Sequence, residues 1–420
     1  MSPLFRSAWV PALATLLVAL VSTASRAQTT DDFFNPATLH RMDIWIHSSD
    51  WEDLKVHYED DTKYPARLEW DGVVIYDAAV HSRGGGTRNG TKPGLRVDLE
   101  HYHSGPQFPY LHSFVLDNLY QDPSGVRETL AMQTHNRLGI AAPREAHTRL
   151  FVNGDYAGVY AIVEAVDQKM LTRVFGPGDN GIADQGYLFD FQWVDRWEFD
   201  YLGSTLEPYI DRFQPITHDT DAQEATWRPI EELIRLINDT PPERLEEAVG
   251  SRLDLEQFVR FAAIQNFLAE NDGVLGYDGT NNFYFYRVGG TDRHILIPWD
   301  EDNALLQSDF PVAERLEDNV LMRGLMQVPR FQLLYYDTLR QASDSANEVG
   351  DDGLGWFERE ARRETELISD AMHQDTVKPF TNEEVDAAFA HVVAYGPERA
   401  AYIRCAIPAA LGQPEPAGCP

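Results

Sequence analysis

Alternation of apolar and polar side chains dominates the first third of the chain. Residues 40–48, HRMDIWIHS, alternate at every second position, which predicts a strand with one buried face. Asp50-Trp51-Glu52-Asp53 then reads as a helix start. A hairpin follows, in which Ala66-Arg67-Leu68-Glu69-Trp70 and Val73-Val74-Ile75-Tyr76 flank an Asp71-Gly72 turn. Ala79-Val80-His81-Ser82-Arg83, the glycine run Gly84-Gly85-Gly86 and a strand at 94–100 extend this antiparallel β-rich segment. At 123–138 the apolar period lengthens to that of a helix, with Gly139 as its stop. Two more strands, at 148–152 and 158–164, are joined by the turn Asn153-Gly154-Asp155.

From about residue 167 the pattern changes. A glycine-rich loop at 176–181 and a short strand at 187–191 lead into helical periodicity at 227–238, 242–249 and 254–269. The last of these has Asp254 as N-cap and turns Phe258, Phe261, Ile264 and Leu268 inward. An apolar hairpin at 282–299 interrupts the helices, and 320–400 is again mostly helical, with a break at 343–354. There is no internal repeat, heptad or low-complexity tract. The pattern is α+β: a β-rich N-terminal lobe over 28–166 and a mainly helical C-terminal lobe over 167–420.

The first 27 residues stand apart from that division. Arg6, an apolar run from Trp9 to Val21 and the small residues of Ser25-Arg26-Ala27 read as a secretory signal peptide cleaved after Ala27. No other stretch is long and apolar enough to cross a bilayer. The expected destination is therefore secreted, periplasmic or in the cell envelope. Cys405 and Cys419 agree with an oxidising compartment and are expected to form one disulfide that pins the C-terminal tail. The net charge of −32 becomes −34 once Arg6 and Arg26 are removed, and it argues against a nucleic-acid partner. A solvated acidic surface or a basic protein partner both fit that charge.

The chemistry concentrates in 271–302, NDGVLGYDGTNNFYFYRVGGTDRHILIPWDED. Asp272 follows a long apolar helix, Asn282 opens an aromatic strand, and Asp300 and Asp302 close a second apolar strand. Metal-dependent phosphoryl transfer needs one carboxylate to orient the attacking hydroxyl. It also needs an Asn and an Asp on strand ends to hold a divalent cation against nucleotide phosphates. Upstream, Arg83, Gly84, Gly85, Gly86 and Thr87 could offer backbone N–H groups to phosphates, although glycine runs more often make ordinary turns. No Walker A spacing is present. Lys92 and Arg96 lie where a strand cation would reach the phosphates, and Glu128 lies in the next helix, where its pairing glutamate would sit. The run from Tyr160 to Asp167, with Glu164 and Val166, resembles a strand-to-hinge passage whose backbone binds adenine.

These motifs together resemble the CotH family, related to spore coat protein H and regarded as atypical secreted protein kinases. The resemblance runs over about 40–340, through the Asp71-Gly72 hairpin, Arg83-Gly84, Lys92, Arg96, the Val126-Arg127-Glu128 helix and the run from Leu150 to Tyr160. It continues through Glu164-Ala165-Val166-Asp167, Asn271-Asp272, Asn282-Phe283-Tyr284 and Pro298-Trp299-Asp300-Glu301-Asp302. It implies a kinase-like bilobal fold, ATP with Mg²⁺ or Mn²⁺, and Ser/Thr phosphorylation of a secreted or coat protein. Carried onto this chain, Asp272 orients the acceptor hydroxyl, Asn282 and Asp300 are metal ligands, Asp302 is a further carboxylate at the metal, and Lys92 or Arg96 is the phosphate cation. One departure stands out: the family often has Ser or Thr in the loop after Arg-Gly, where this chain has Gly85-Gly86-Thr87. Against the ordinary kinase motif, no His-Arg precedes Asp272 and Trp299-Asp300-Glu301-Asp302 replaces D-F-G.

The sequence leaves other readings open. The same site could transfer a nucleotidyl group, or the fold could serve as a non-catalytic envelope or coat assembly module. A calcium- or carbohydrate-binding surface protein ranks last, since no EF-hand loop is present. For an enzyme this acidic, the expected partner is a basic, Ser-rich protein substrate.

Overall fold

The computed structural model describes residues 28–102, 111–414 and 416–419. The signal-peptide segment lies outside the described residues. In chain order the first elements are α1 (Thr30–Phe33), β1 (Leu39–Ile46), α2 (Ser48–Val56), β2 (Tyr64–Trp70), β3 (Val73–Ser82), β4 (Leu95–Asp98), β5 (Ser113–Asp117), α3 (Arg127–Arg137), β6 (Glu145–Val152) and β7 (Asp155–Glu164). Then come α4 (Gln168–Phe175), β8 (Tyr187–Phe191), α5 (Glu207–Arg212), β9 (Phe213–Pro215), α6 (Gln223–Asp239), α7 (Leu245–Val249) and α8 (Leu255–Phe267). The chain finishes with β10 (Phe283–Arg287), β11 (His294–Pro298), α9 (Val320–Met326), α10 (Pro329–Ala346), α11 (Trp356–Gln374) and α12 (Asn382–Ala410).

The fold is α+β, as the hydrophobic pattern predicts, but the first strands do more than form an antiparallel sheet. They close into a seven-stranded barrel in the order β1-β2-β3-β4-β5-β7-β6. The closing pair is parallel, with Met42 opposite Leu150 and Ile44 opposite Val152. Each strand turns apolar residues inward: Met42, Ile44, Leu68, Val80, Val97, Leu116, Leu150 and Ile162 all point into one apolar interior. Sequence alternation identifies the inward face of each strand but not which strand closes the ring.

β5 and β7 serve two cores at once. Their alternate residues Val115, Val159, Ala161 and Val163 point out of the barrel and join Leu130 of α3 in a second apolar cluster, which continues through the helices. Doubly buried strands lose the polar half of their alternation. The same holds for β10, which is buried at every position between β8 and β11 in a sheet of order β11-β10-β8-β9. α8 lies against that hairpin, where the Gln257 amide donates to the Leu296 carbonyl at 2.6 Å and accepts the Leu296 N–H at 3.2 Å.

The tail is integral to this second core. Arg399 of α12 is fully buried and donates to the carbonyls of Asn266 and Phe267, at the end of α8, at 2.7 and 3.1 Å. Tyr395 donates to the same Phe267 carbonyl at 2.7 Å. The expected Cys405–Cys419 disulfide is present. No helix among the described residues is long and apolar enough to cross a membrane.

Candidate active site

The β10–β11 hairpin brings the two predicted metal ligands together. Phe283 pairs with Pro298, and the Trp299 N–H donates to the Asn282 carbonyl at 3.3 Å, so Asn282 and Asp300 leave the ladder at its open end. Both have left-handed backbone, with φ of +56° at Asn282 and +55° at Asp300. Asn and Asp tolerate that conformation best among residues other than glycine, yet it still costs about 1 kcal/mol or more, and such strain clusters at functional positions.

Asp272 is held beside them. The loop after α8 closes on itself through Gly276 N–H to the Gly273 carbonyl (3.0 Å), Tyr277 N–H to that of Asn271 (2.8 Å) and Asn281 N–H to that of Gly273 (3.1 Å). Asn282 Nδ2 then donates to Asp272 Oδ2 at 3.0 Å, with Asn281 Nδ2 at 3.3 Å from Oδ1. Burial raises the Asp272 pKa, and the two amides partly offset it. One carboxylate and one amide thus share an edge, and Asp300 is close enough to feel the charge of Asp272.

The barrel supplies the opposite wall. Glu128, in the first turn of α3, accepts the backbone N–H of Asp300 on Oε1 at 3.1 Å. Asp117 ends β5, and Arg83 follows β3 with its guanidinium 3.9 Å from the Asp117 carboxylate and 5.3 Å above the Trp299 ring. Burial opposes the charge on Arg83, but Asp300, Asp117, Tyr284 and Glu128 together outweigh it and raise its pKa. Gln121 Nε2 lies 3.3 Å from Asp302, whose pKa burial and the neighbouring Asp300 and Asp117 push well up. Asp300 itself is pushed up to about 6, by burial first, with Arg83 opposing and Asp117 and Asp272 adding to it.

The glycine loop that follows Arg83 leaves several donors free. The N–H groups of Gly84, Gly85, Gly86 and Thr87 make no hydrogen bond among the described residues, while Arg88 N–H closes the turn onto the Gly85 carbonyl at 3.2 Å. Asn118 anchors the loop by donating to the Thr87 and Lys92 carbonyls at 3.2 and 2.8 Å. Gly84, at φ +118°, needs its glycine, whereas an added Cβ at Gly85 or Gly86 would meet nothing.

Other predicted residues are placed differently. The Lys92 ammonium is buried against Asp375 at 2.8 Å, beyond α11, so Arg83 is the cation that faces Asp300. Arg96 donates to Ser113 at 2.9 Å and lies near enough to Asp190, Tyr284 and Asp167 for its charge to act on them. Glu164 is locked between Arg144 and Arg173, at 2.6 and 2.5 Å, and Val166 is buried in the helical core. Glu128 holds an amide instead of pairing with Lys92.

Sequence reading missed Asp117, Asp190, Gln265 and Glu270. Asp190 had a signal, as the lone charge inside the aromatic strand 187–191. Its pKa is pushed up to about 6 by burial, with Arg83 and Arg96 opposing. Asp117 likewise ends an apolar strand. Gln265 and Glu270 lie in and just after an apolar helix and carried no signal.

A metal fits this site only with help. Among the described residues, no three His, Cys, Asp or Glu side chains converge to hold one alone. The Asp300 carboxylate accepts no hydrogen bond among those residues, and Asn282 lies across the hairpin end from it. One carboxylate and one amide suit a Mg²⁺-type ion that takes its remaining ligands from phosphate and water. Elsewhere, a cavity of about 720 Å³ at the barrel end is lined by Asp32, His40, Arg41, Asp43, Glu69 and Trp70, and holds none of the predicted site residues.

Comparison with known proteins agrees with the sequence resemblance. The chain is 25% identical over 270 residues to the inner spore coat protein H of Bacillus subtilis, covering 64% of this chain and 69% of that protein. It is 24% identical over 230 residues to the invasin CotH2 of Rhizopus delemar, covering 51% of this chain and 38% of that one. The family model described as CotH kinase protein matches residues 80–389, which reaches further into the helical tail than the sequence resemblance does. With well over half its length matched, the chain belongs to the CotH family.

Proposed function

We propose that the protein is an exported, atypical Ser/Thr protein kinase of bilobal, kinase-like layout, which transfers the ATP γ-phosphate to a secreted or coat protein. The observation that carries this reading is the meeting of Asp272, Asn282 and Asp300 on one edge, with Arg83 facing Asp300. Phosphoryl transfer needs positioned charge more than covalent chemistry, and that edge supplies it.

In this reading Asp272 takes a hydrogen bond from the acceptor hydroxyl and aims it at the phosphorus. Asn282 and Asp300 hold Mg²⁺ or Mn²⁺, with Asp302 beside them. When bound, the cation neutralises the charge on the phosphate oxygens. Arg83, rather than Lys92 or Arg96, contacts the phosphates from the barrel side, and the glycine loop donates backbone N–H groups to them. Arg96, Asp190 and Tyr284 line the side of the cleft toward Asp167, where a base or ribose would lie.

The acidic surface steers a basic, Ser-rich acceptor toward the cleft. The printed names of the two relatives, a spore coat protein and an invasin, support a coat or extracellular location. They also keep alive a second reading, a coat-assembly module that retains the fold without turnover. Transfer of labelled γ-phosphate to a basic Ser-rich polypeptide, compared between wild type and Asp272→Ala, separates the two. Metal-dependent transfer lost in the variant supports the kinase; no transfer by wild type supports the assembly module.

A further inference from the structure

Behind the proposed site, three side chains and one backbone amide form a buried chain of hydrogen bonds, and a fourth side chain, Glu270, holds a second amide beside it. Glu301, fully buried between Asp300 and Asp302, accepts His135 Nε2 of α3 at 3.0 and 3.1 Å. It accepts Gln265 Nε2 of α8 on the same Oε1 at 2.9 Å. Gln265 Oε1 in turn accepts the Val274 N–H at 2.8 Å, in the loop that carries Asp272. Glu270, buried at the start of that loop, accepts the Asp272 N–H at 2.7 Å. None of these side chains bonds the carboxylate of Asp272 or Asp300, yet together they join the backbone of both halves of the edge.

The loop is packed directly on this chain. A Cβ at Gly273 would lie 2.5–2.6 Å from the Gln265 amide atoms, closer than real contacts allow. Gln265 is 3% exposed and bonded at both ends, so it cannot move aside without releasing Glu301 or Val274. Gly273 has no left-handed φ, so its need for glycine is a need for closeness to Gln265.

We infer that Gln265 and Glu301 are positioning residues that fix the separation between Asp272 and Asp300, with His135 tying that setting to α3. The inference rests on the kinase reading for its rate consequence, but its geometry can be tested without it. The cation and nucleotide phosphates depend on one side of the edge, Asn282, Asp300 and Arg83. The hydroxyl depends on Asp272. A device that sets their spacing therefore governs turnover far more than nucleotide affinity, because a misplacement of about 1 Å can cost on the order of a hundredfold in rate.

The test uses the full-length exported protein and the variants Gln265→Ala, Gly273→Ala, their double and Glu301→Gln. Three quantities are measured: Mg·ATP affinity by calorimetry, steady-state phosphoryl transfer, and hydrogen exchange of the Val274 amide without nucleotide. We expect each single variant to lower kcat at least tenfold with Kd for Mg·ATP within threefold. Val274 exchange should quicken at least tenfold in Gln265→Ala and in Gly273→Ala. The double variant should be no slower than Gln265→Ala, because the added Cβ then meets no amide group.

Active variants with kcat within twofold of wild type, or Val274 exchange unchanged in Gln265→Ala, would overturn the inference while leaving the kinase reading intact. Parallel loss of kcat and Mg·ATP affinity in the conservative Glu301→Gln would also overturn it, since a merely structural role moves both. A wild type that neither binds Mg·ATP nor transfers phosphate would overturn the kinase reading, and the rate claim with it. If Gln265→Ala does not fold, Glu301→Gln and Gly273→Ala decide the outcome by the same split.

Discussion

Glu128 Oε1 accepts the backbone N–H of Asp300 at 3.1 Å, across 172 positions of sequence. A side chain from the barrel-packed helix therefore sets the backbone of a residue on the far hairpin. On the loop side, Glu270 holds the Asp272 N–H at 2.7 Å in the same way. Both proposed functional aspartates thus have their amides held by buried glutamates, one distant in sequence and one at the start of the same loop.

Removing one of those acceptors tests the arrangement. Glu128→Ala leaves the Asp300 amide unpaired, at a cost of about 1–3 kcal/mol. Metal-dependent nucleotide affinity should fall about tenfold, following the lower part of that range. Glu128→Gln keeps a carbonyl acceptor and should bind within about threefold of wild type, read by calorimetry.

Arg83 and Lys92 should behave in opposite ways. Arg83→Met removes the cation that faces Asp300 and should abolish detectable Mg·ATP binding with the fold intact by circular dichroism. Lys92→Met should keep nucleotide binding, because Lys92 is turned to Asp375. A loss of binding in Lys92→Met with Arg83→Met unaffected would return the phosphate cation to Lys92.

Stability around that buried pair should be asymmetric. Asp375 also accepts the N–H groups of Val159, Val377 and Lys378 at 3.0, 2.9 and 3.0 Å, so it remains paired without Lys92. Lys92 has no other acceptor for its ammonium among the described residues. Asp375→Ala should cost about 3–5 kcal/mol in denaturant unfolding, the penalty of stranding a buried charge, and Lys92→Met clearly less.

Affinity for the metal nucleotide should depend on pH through Asp300. Its pKa, pushed up to about 6 by burial first and by Asp117 and Asp272, means protons compete with the cation below that value. Affinity should rise as pH climbs from 5 to 7 and then level off. The unliganded protein shows the reverse sign: a raised pKa adds stability at low pH, which is lost as pH rises from the unfolded value through about 6. Asp300→Asn should flatten both curves, measured by calorimetry and by thermal unfolding.

Much of this was legible in the sequence, and the gaps have physical causes. The hairpins at Asp71-Gly72 and Asn153-Gly154 were readable because turn chemistry is local. The convergence of Asn282 and Asp300 was readable because a short hairpin must bring its two ends together, whereas Asp272 joins them through the bonds of its loop. The closing β1–β6 pair was not, since nothing in a strand's alternation names its neighbour. The cation proposed here differs from the sequence expectation for a related reason. Arg83, Lys92 and Arg96 all stand near one strand, and only tertiary packing turns Lys92 to Asp375 and leaves Arg83 facing the acids. Gln265 was hidden because a polar residue inside an apolar helix looks the same whether it is idle or bonded at both ends.

The measurement that bears most directly on the proposed chemistry is calorimetric titration of ATP, with and without Mg²⁺ or Mn²⁺, into wild type and Asp300→Ala. The account predicts metal-dependent binding by wild type and its loss in the variant. Absence of binding by wild type, or undiminished metal-dependent binding in Asp300→Ala, would contradict it.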